Sequence, residues 1–255
     1  MSTTGRKGME KIAQSPIIQF LVGDERTMFY VHVGSVVGLS ERIDNKIIRS
    51  SCFPVLWEDI DVGTFATFLE YAYTGNFTIM DRKIPHDSEE PPSLCESMAS
   101  CESTESESTK YALKHFGSVL RQTCSENDAV QHVSALPTTT VPHSRGYYVA
   151  HARLYVFAEE YELDELKSLC VEKMRQSLAG NPGQVELTHA VVDVLRFIWP
   201  QTKSQDAMRK LFLRYILTDM GWMMKQPVFN KLLKDMPQIS HELLFTVPLA
   251  YWEAL

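Results

Sequence analysis

Hydrophobic and polar positions recur along this chain at two spacings, and the spacing changes predict where elements begin and end. Between Trp57 and Gly75, Val62, Phe65, Leu69, Ala72 and Tyr73 fall on one helical stripe. Asp59 or Asp61 stands where a side chain can cap the first N–H groups, and Gly75 stands where a left-handed residue closes the helix. Phe68 and Tyr71 lie on its other faces, and a helix that is aromatic on several sides is expected between neighbours, not on a surface. The rest of the chain is organised around this helix.

Upstream, Ile17-Ile18-Gln19-Phe20-Leu21-Val22 reads as a buried strand. Gly23 to Arg26 is a turn, and Thr27 to Val31 is the returning strand of a hairpin. His32 to Val37 predicts a short helix and Leu39 to Ile48 a second. Cys52 to Leu56 predicts a brief strand that Pro54 confines to an edge or an end. Residues 1–14 read as a disordered tail.

Downstream of Ile79 the pattern breaks. Ser88 to Ser108 holds seven serines and six glutamates with no lysine or arginine, too few apolar groups to offset the entropy of ordering, and is expected to be disordered. Ala112, Phe116, Val119 and Leu120 predict one helix within Tyr111 to Thr123. Thr138 to Pro142 reads as linker, so about 80–146 is an insertion. Helical rhythm returns with Leu154, Phe157, Ala158 and Tyr161, then with Leu166, Leu169, Cys170 and Met174, before Asn181-Pro182-Gly183 breaks it. The last quarter predicts four helices: Leu187 to Trp199, one capped by Ser204 and ending near Gly221, one opened by Pro227, and one from Ser240 through Phe245.

Composition narrows the function classes. A net charge of −7 argues against a broad basic nucleic-acid surface. No apolar run reaches the ~18 residues of a membrane span. Cys52, Cys95, Cys101, Cys124 and Cys170 are scattered and odd in number, which reads as reduced thiols of an intracellular protein, cytoplasmic or nuclear.

The order of these elements resembles the BTB/POZ fold. His32, Val36 and Ser40 match that family's His-x3-apolar-x3-Ser spacing. Asp61-x3-Phe65-x3-Leu69-x-Tyr71-x-Tyr73-Thr74-Gly75 matches its central helix, and Ala158-x2-Tyr161-x-Leu163-x2-Leu166-x3-Cys170 its final helix pair. The C-terminal helices are similar to the short extension that follows many fungal BTB domains, and loosely to a BACK domain. The resemblance implies an α+β fold with a BTB/POZ domain over 15–178, interrupted by the insertion at about 80–146, and an all-α extension over 179–255. It also implies a non-enzymatic protein–protein interaction module that self-associates, acts as an adaptor for a cullin-type ubiquitin ligase, or both. In such folds the contact surface comes from the first helices, the central helix and the turn after it, which here points to Leu39, Ile43, Phe77, Ile79 and Asp81 as a partner-binding patch of exposed apolar groups beside a charge.

Catalytic chemistry has no motif in the sequence. The histidines show no ligand spacing, and there is no Cys-x2-Cys or His-Glu-x2-His for a metal. No phosphate-binding glycine loop and no Gly-x-Ser-x-Gly elbow occurs. Neither cofactor nor metal is expected, and His32 is expected to satisfy local backbone groups. The acidic serine stretch reads either as a solvated loop or as a set of acidophilic-kinase sites, since Ser93 precedes Glu96 and Thr104 precedes Glu107 by three. The alternatives to an adaptor are a standalone dimerising scaffold with no ligase link, and an enzyme of unfamiliar type.

Overall fold

The sheet forms from the predicted hairpin and the strand before the central helix. In the computed structural model, which describes residues 8–49, 54–79, 107–116, 144–179 and 185–249, β1 (Ile17–Val22) pairs antiparallel with β2 (Thr27–His32) and parallel with β3 (Val55–Trp57). The strand order is β2-β1-β3, so the strand after Pro54 is an edge, as that proline requires. Phe20 stands opposite Phe29 and Val55, and Val22 opposite Thr27 and Trp57. These positions, with Ile18 and Val31, form the inner face. The turn between β1 and β2 needs left-handed backbone at Gly23 (φ 72°) and Arg26 (φ 52°).

Two compact units emerge from the chain, and the mixed, mainly helical content fits the α+β expectation. The first unit gathers the described residues up to Ile79 with 147–174 and 197–202. Besides the sheet it holds α1 (Met9–Ala13), α2 (Val33–Val36), α3 (Glu41–Arg49), α4 (Val62–Thr74) and most of α6 (Arg145–Glu160). It also takes the first part of α7 (Asp164–Ala179) and the 3-10 turn Trp199–Gln201. Helix α1 falls within the expected tail. Ile12 is buried, and Ser15 Oγ donates to its carbonyl while accepting from the Gly34 N–H. Any side chain at Gly34 would meet Ser15 Oγ at 2.8 Å and the Ile12 backbone at 3.2 Å, so the glycine permits the close approach of α1 and α2.

The predicted caps of α4 are present. Asp61 accepts from the Thr64 N–H at 3.0 Å, and Gly75 is left-handed at φ 82°. The buried face differs from expectation. It is Thr64, Phe65, Phe68, Tyr71 and Ala72, while Val62, Leu69 and Tyr73 are half-buried. The cause is Trp57, whose indole lies 5.5 Å from the Phe20 ring, 5.3 Å from Phe65, 6.3 Å from Phe68, 5.8 Å from Phe157 and 5.1 Å from Tyr161. Aromatic rings favour such tilted and edge-on contacts, and α4 turns its rings toward the indole. Trp57 Nε1 donates to Tyr161 Oη at 2.6 Å. Burial pushes the Tyr161 phenol up to about 12; the indole hydrogen bond opposes the rise, and Glu160 and Asp59 add to it.

The second unit gathers 107–116, 144–146, 175–179, 185–196 and 203–249 of the described residues. Its elements are α5 (Glu107–Phe116), the end of α7, most of α8 (Val185–Ile198), α9 (Ala207–Thr218), α10 (Met220–Lys225), α11 (Pro227–Asp235) and α12 (Pro237–Thr246). Three boundaries differ from the sequence expectations. Asp206, not Ser204, caps α9, accepting from the Met208 and Arg209 N–H groups. Gly221 lies inside α10 and does not end α9. Helix α12 opens at Pro237, three residues before Ser240, because proline fits the first helical turn. Within the insertion lies α5, which overlaps the helix expected in Tyr111 to Thr123 but begins four residues earlier, with Ala112 and Phe116 buried. Val119, Leu120, the Asn181-Pro182-Gly183 breaker and the remainder of 80–146 up to His143 lie outside the described residues.

Candidate interaction surface

The outward face of the sheet follows from the same register that builds the core. Side chains alternate across a strand, so the residues between the inward ones point away. They are Ile17, Gln19 and Leu21 on β1, Met28, Tyr30 and His32 on β2, and Leu56 on β3. Leu21 stands directly between Met28 and Leu56, and Gln19 faces Tyr30. Ile17 is 61% exposed, Tyr30 64%, Met28 48% and Leu56 49%. Apart from Gln19 and the half-buried His32 this face is apolar, and it carries no carboxylate, lysine or arginine. Scattered exposed hydrophobics are ordinary, but here four are registered on one face around the half-buried Leu21.

Of the five residues expected to form a partner-binding patch, two are not at the surface. Ile43 and Phe77 are fully buried. Ile43 is the buried residue of α3, and Phe77 lies against the His151 ring at 5.5 Å with the Lys173 ammonium 4.9 Å from its centroid. Leu39 and Ile79 are half-buried, and Asp81 lies outside the described residues, as do Ser93 and Thr104. Two apolar members of the expected patch, Ile43 and Phe77, are thus spent on the core and do not serve as surface groups. The signal for the sheet face was present in β2. Met28-Phe29-Tyr30-Val31 is apolar at consecutive positions, which loads both faces of a strand.

His32 does not satisfy local backbone groups with its ring as expected: the ring makes no cap hydrogen bond to α2 and meets Tyr73 instead. Its N–H donates to Tyr73 Oη at 2.9 Å, its Nδ1 lies 3.0 Å from the same oxygen, and its carbonyl accepts from Ser35 Oγ. Where the β1–β2 turn meets the connection from β3 to α4 there is an open hollow of about 450 Å³, lined by Gly23, Asp24, Glu25, Glu58, Asp59, Ile60, Asp61 and Val62. Arg26 pairs with Glu58 at 2.9 Å and Arg153 approaches Asp61 at 3.8 Å, both largely in solvent, where such pairs contribute little. The carboxylates do not converge, and no group of three or more metal-ligating side chains occurs among the described residues. Cys170, the free cysteine there, is buried, which pushes its thiol well above its ordinary range despite Lys173. It is not a poised nucleophile. No helix among the described residues is long and apolar enough to cross a membrane.

No family model, no curated protein and no solved structure matches this chain.

Proposed function

We propose that the first unit is a non-enzymatic protein–protein interaction module of the BTB/POZ type, and that it associates with a second copy of itself through the outer face of the sheet. The element order supports this reading: hairpin, two short helices, third strand, capped central helix and helix pair follow one another as in the family that the sequence resembles. The observation that carries it is the face of Ile17, Leu21, Met28, Tyr30 and Leu56, which carries no carboxylate, lysine or arginine. Two copies of a chain bearing −7 repel at long range, and a face without carboxylates is where they meet without a like-charge contact. A strongly charged partner finds nothing to complement on it. Adaptor binding to a cullin-type scaffold is the second reading that the resemblance implies, and two residues of the patch it pointed to, Ile43 and Phe77, are buried.

The magnitude predicts weak association. A six-residue strand is ~20 Å long and three strands span ~10 Å between their outer axes. That face is well below the ~800 Å² that each partner commits to a standard interface. The test is sedimentation velocity of the full chain over roughly two decades of concentration. Mass should rise reversibly with concentration, and Tyr30→Lys with Leu56→Lys, both at solvent-facing positions, should hold the chain monomeric. A chain that stays monomeric throughout, or a double variant that associates as the parent does, refutes the reading.

A further inference from the structure

Helix α5 lies in the sequence between two elements of the first unit, α4 and α6, yet it packs on α9 in the second unit. Residues 80–106 precede it and 117–143 follow it. Its described buried side chains are Ala112 and Phe116, one helical turn apart, while Lys110 and Lys114 are exposed. The Phe116 ring meets Tyr215 of α9 edge-on, with centroids 5.9 Å apart.

We propose that α5 is a displaceable internal ligand, and that the strip of α9 around Tyr215 is a docking groove for an amphipathic helix of a partner protein. The inference concerns the second unit alone and does not depend on how the first unit associates.

Three observations carry it. First, α9 is apolar almost all round: Met208, Leu211, Phe212, Leu213, Tyr215, Ile216 and Leu217 are buried. A helix of that kind requires a neighbour on each side. Helices α10 and α12 come from the contiguous C-terminal chain, and α5 is the neighbour brought from a distant stretch. Second, α5 has ten residues, too few to hold helical form alone in water, so its helix and its docking form together. Because α5 belongs to the same chain as α9, its docking is intramolecular and competes with any partner helix. Third, α5 brings no carboxylate to Arg214: the α5 side chain beside it is His115, and Arg214 makes no ion pair among the described residues. A competing helix with a small residue and an aromatic four apart, and a carboxylate in place of His115, would make the same apolar contacts and pair with Arg214. The expected partner is therefore an amphipathic helix with an acidic group beside its aromatic anchor.

The experiment uses the full chain with Phe116→Asp, which evicts α5. The probe is a fluorescent synthetic peptide of residues 105–118 carrying His115→Glu, read by anisotropy, with hydrogen exchange of 207–218 monitored alongside. The peptide should bind the F116D chain, bind the parent chain roughly tenfold or more weakly because tethered α5 competes, and lose its binding when Tyr215→Ala is added. Exchange over 207–218 should remain slow in F116D. The proposal is overturned if F116D exposes 207–218 to exchange, since α5 is then fixed core. It is equally overturned if the peptide fails to bind F116D, or binds parent and variant alike.

Discussion

Tyr161→Phe tests the account of the first unit's core. The substitution keeps the ring, and with it the contacts to Trp57 at 5.1 Å and Phe157 at 4.7 Å. It removes the oxygen that accepts from Trp57 Nε1. Trp57 is 1% exposed, so water cannot replace that oxygen without rearrangement. An orphaned buried donor costs about 1–3 kcal/mol, which speeds exchange through global opening of the unit about 5- to 150-fold. Tyr161 Oη also accepts from Lys46 Nζ at 3.3 Å, a longer and partly solvated bond that contributes less. In a Trp57→Phe background there is no N–H to orphan, so the same change should cost under about 1 kcal/mol; the difference between the two costs is the coupling of the pair. Native-state hydrogen exchange over α4 is the suitable assay, because it reports the first unit and does not require a two-state transition of the whole chain. Equal costs in the two backgrounds would show that the indole–phenol bond does not organise this core, and the reasoning from Trp57 outward would fail.

Two further outcomes are expected. Buried Arg209 pairs with half-buried Glu242 at 3.0 Å in the second unit, so Glu242→Ala, which takes the carboxylate away from that guanidinium, should destabilise that unit by about 3 kcal/mol, whereas Arg209→Met with Glu242→Leu should recover most of the loss; denaturant midpoints followed by circular dichroism compare them. Burial, then Arg214 and Lys114, hold the His115 imidazole below its ordinary 6.5. Released α5 therefore takes up the proton first. Docking should be unaffected above about pH 6.5, weaken as pH falls through it, and level off once docked His115 also protonates. Exchange over 107–116, corrected for its intrinsic pH dependence, should show this, and His115→Asn should flatten it.

What was legible in the sequence depended on how local its cause was. The hairpin, the cap at Asp61 and the stop at Gly75 are set by residues within a few positions, and each is where the sequence pattern predicts it. The buried face of α4 was not readable, because a helix aromatic on several sides has no single preferred stripe. The choice falls to Trp57 and Phe157, the latter about ninety residues beyond Phe65. The same cause removed Phe77 from the expected partner patch. Phe77 follows the helix stop and reads as a surface anchor, but His151 and Lys173 close over it from the far side of the insertion. Helix α5 was found by its periodicity; its destination on α9 was not, since nothing near Phe116 in sequence names Tyr215.

The bond between Trp57 and Tyr161 joins residues separated by 104 positions. During synthesis at about 5–20 residues per second, the indole emerges some 5–20 s before its acceptor has been made. Phe20, Phe65 and Phe68 wait with it, along with the rest of the inner sheet face, while the whole insertion is translated. The half-made first unit is thus a sticky nascent chain for the length of that delay. Its yield in a cell should depend on chaperones that cover aromatic surface, and on how fast the ribosome crosses codons 80–146.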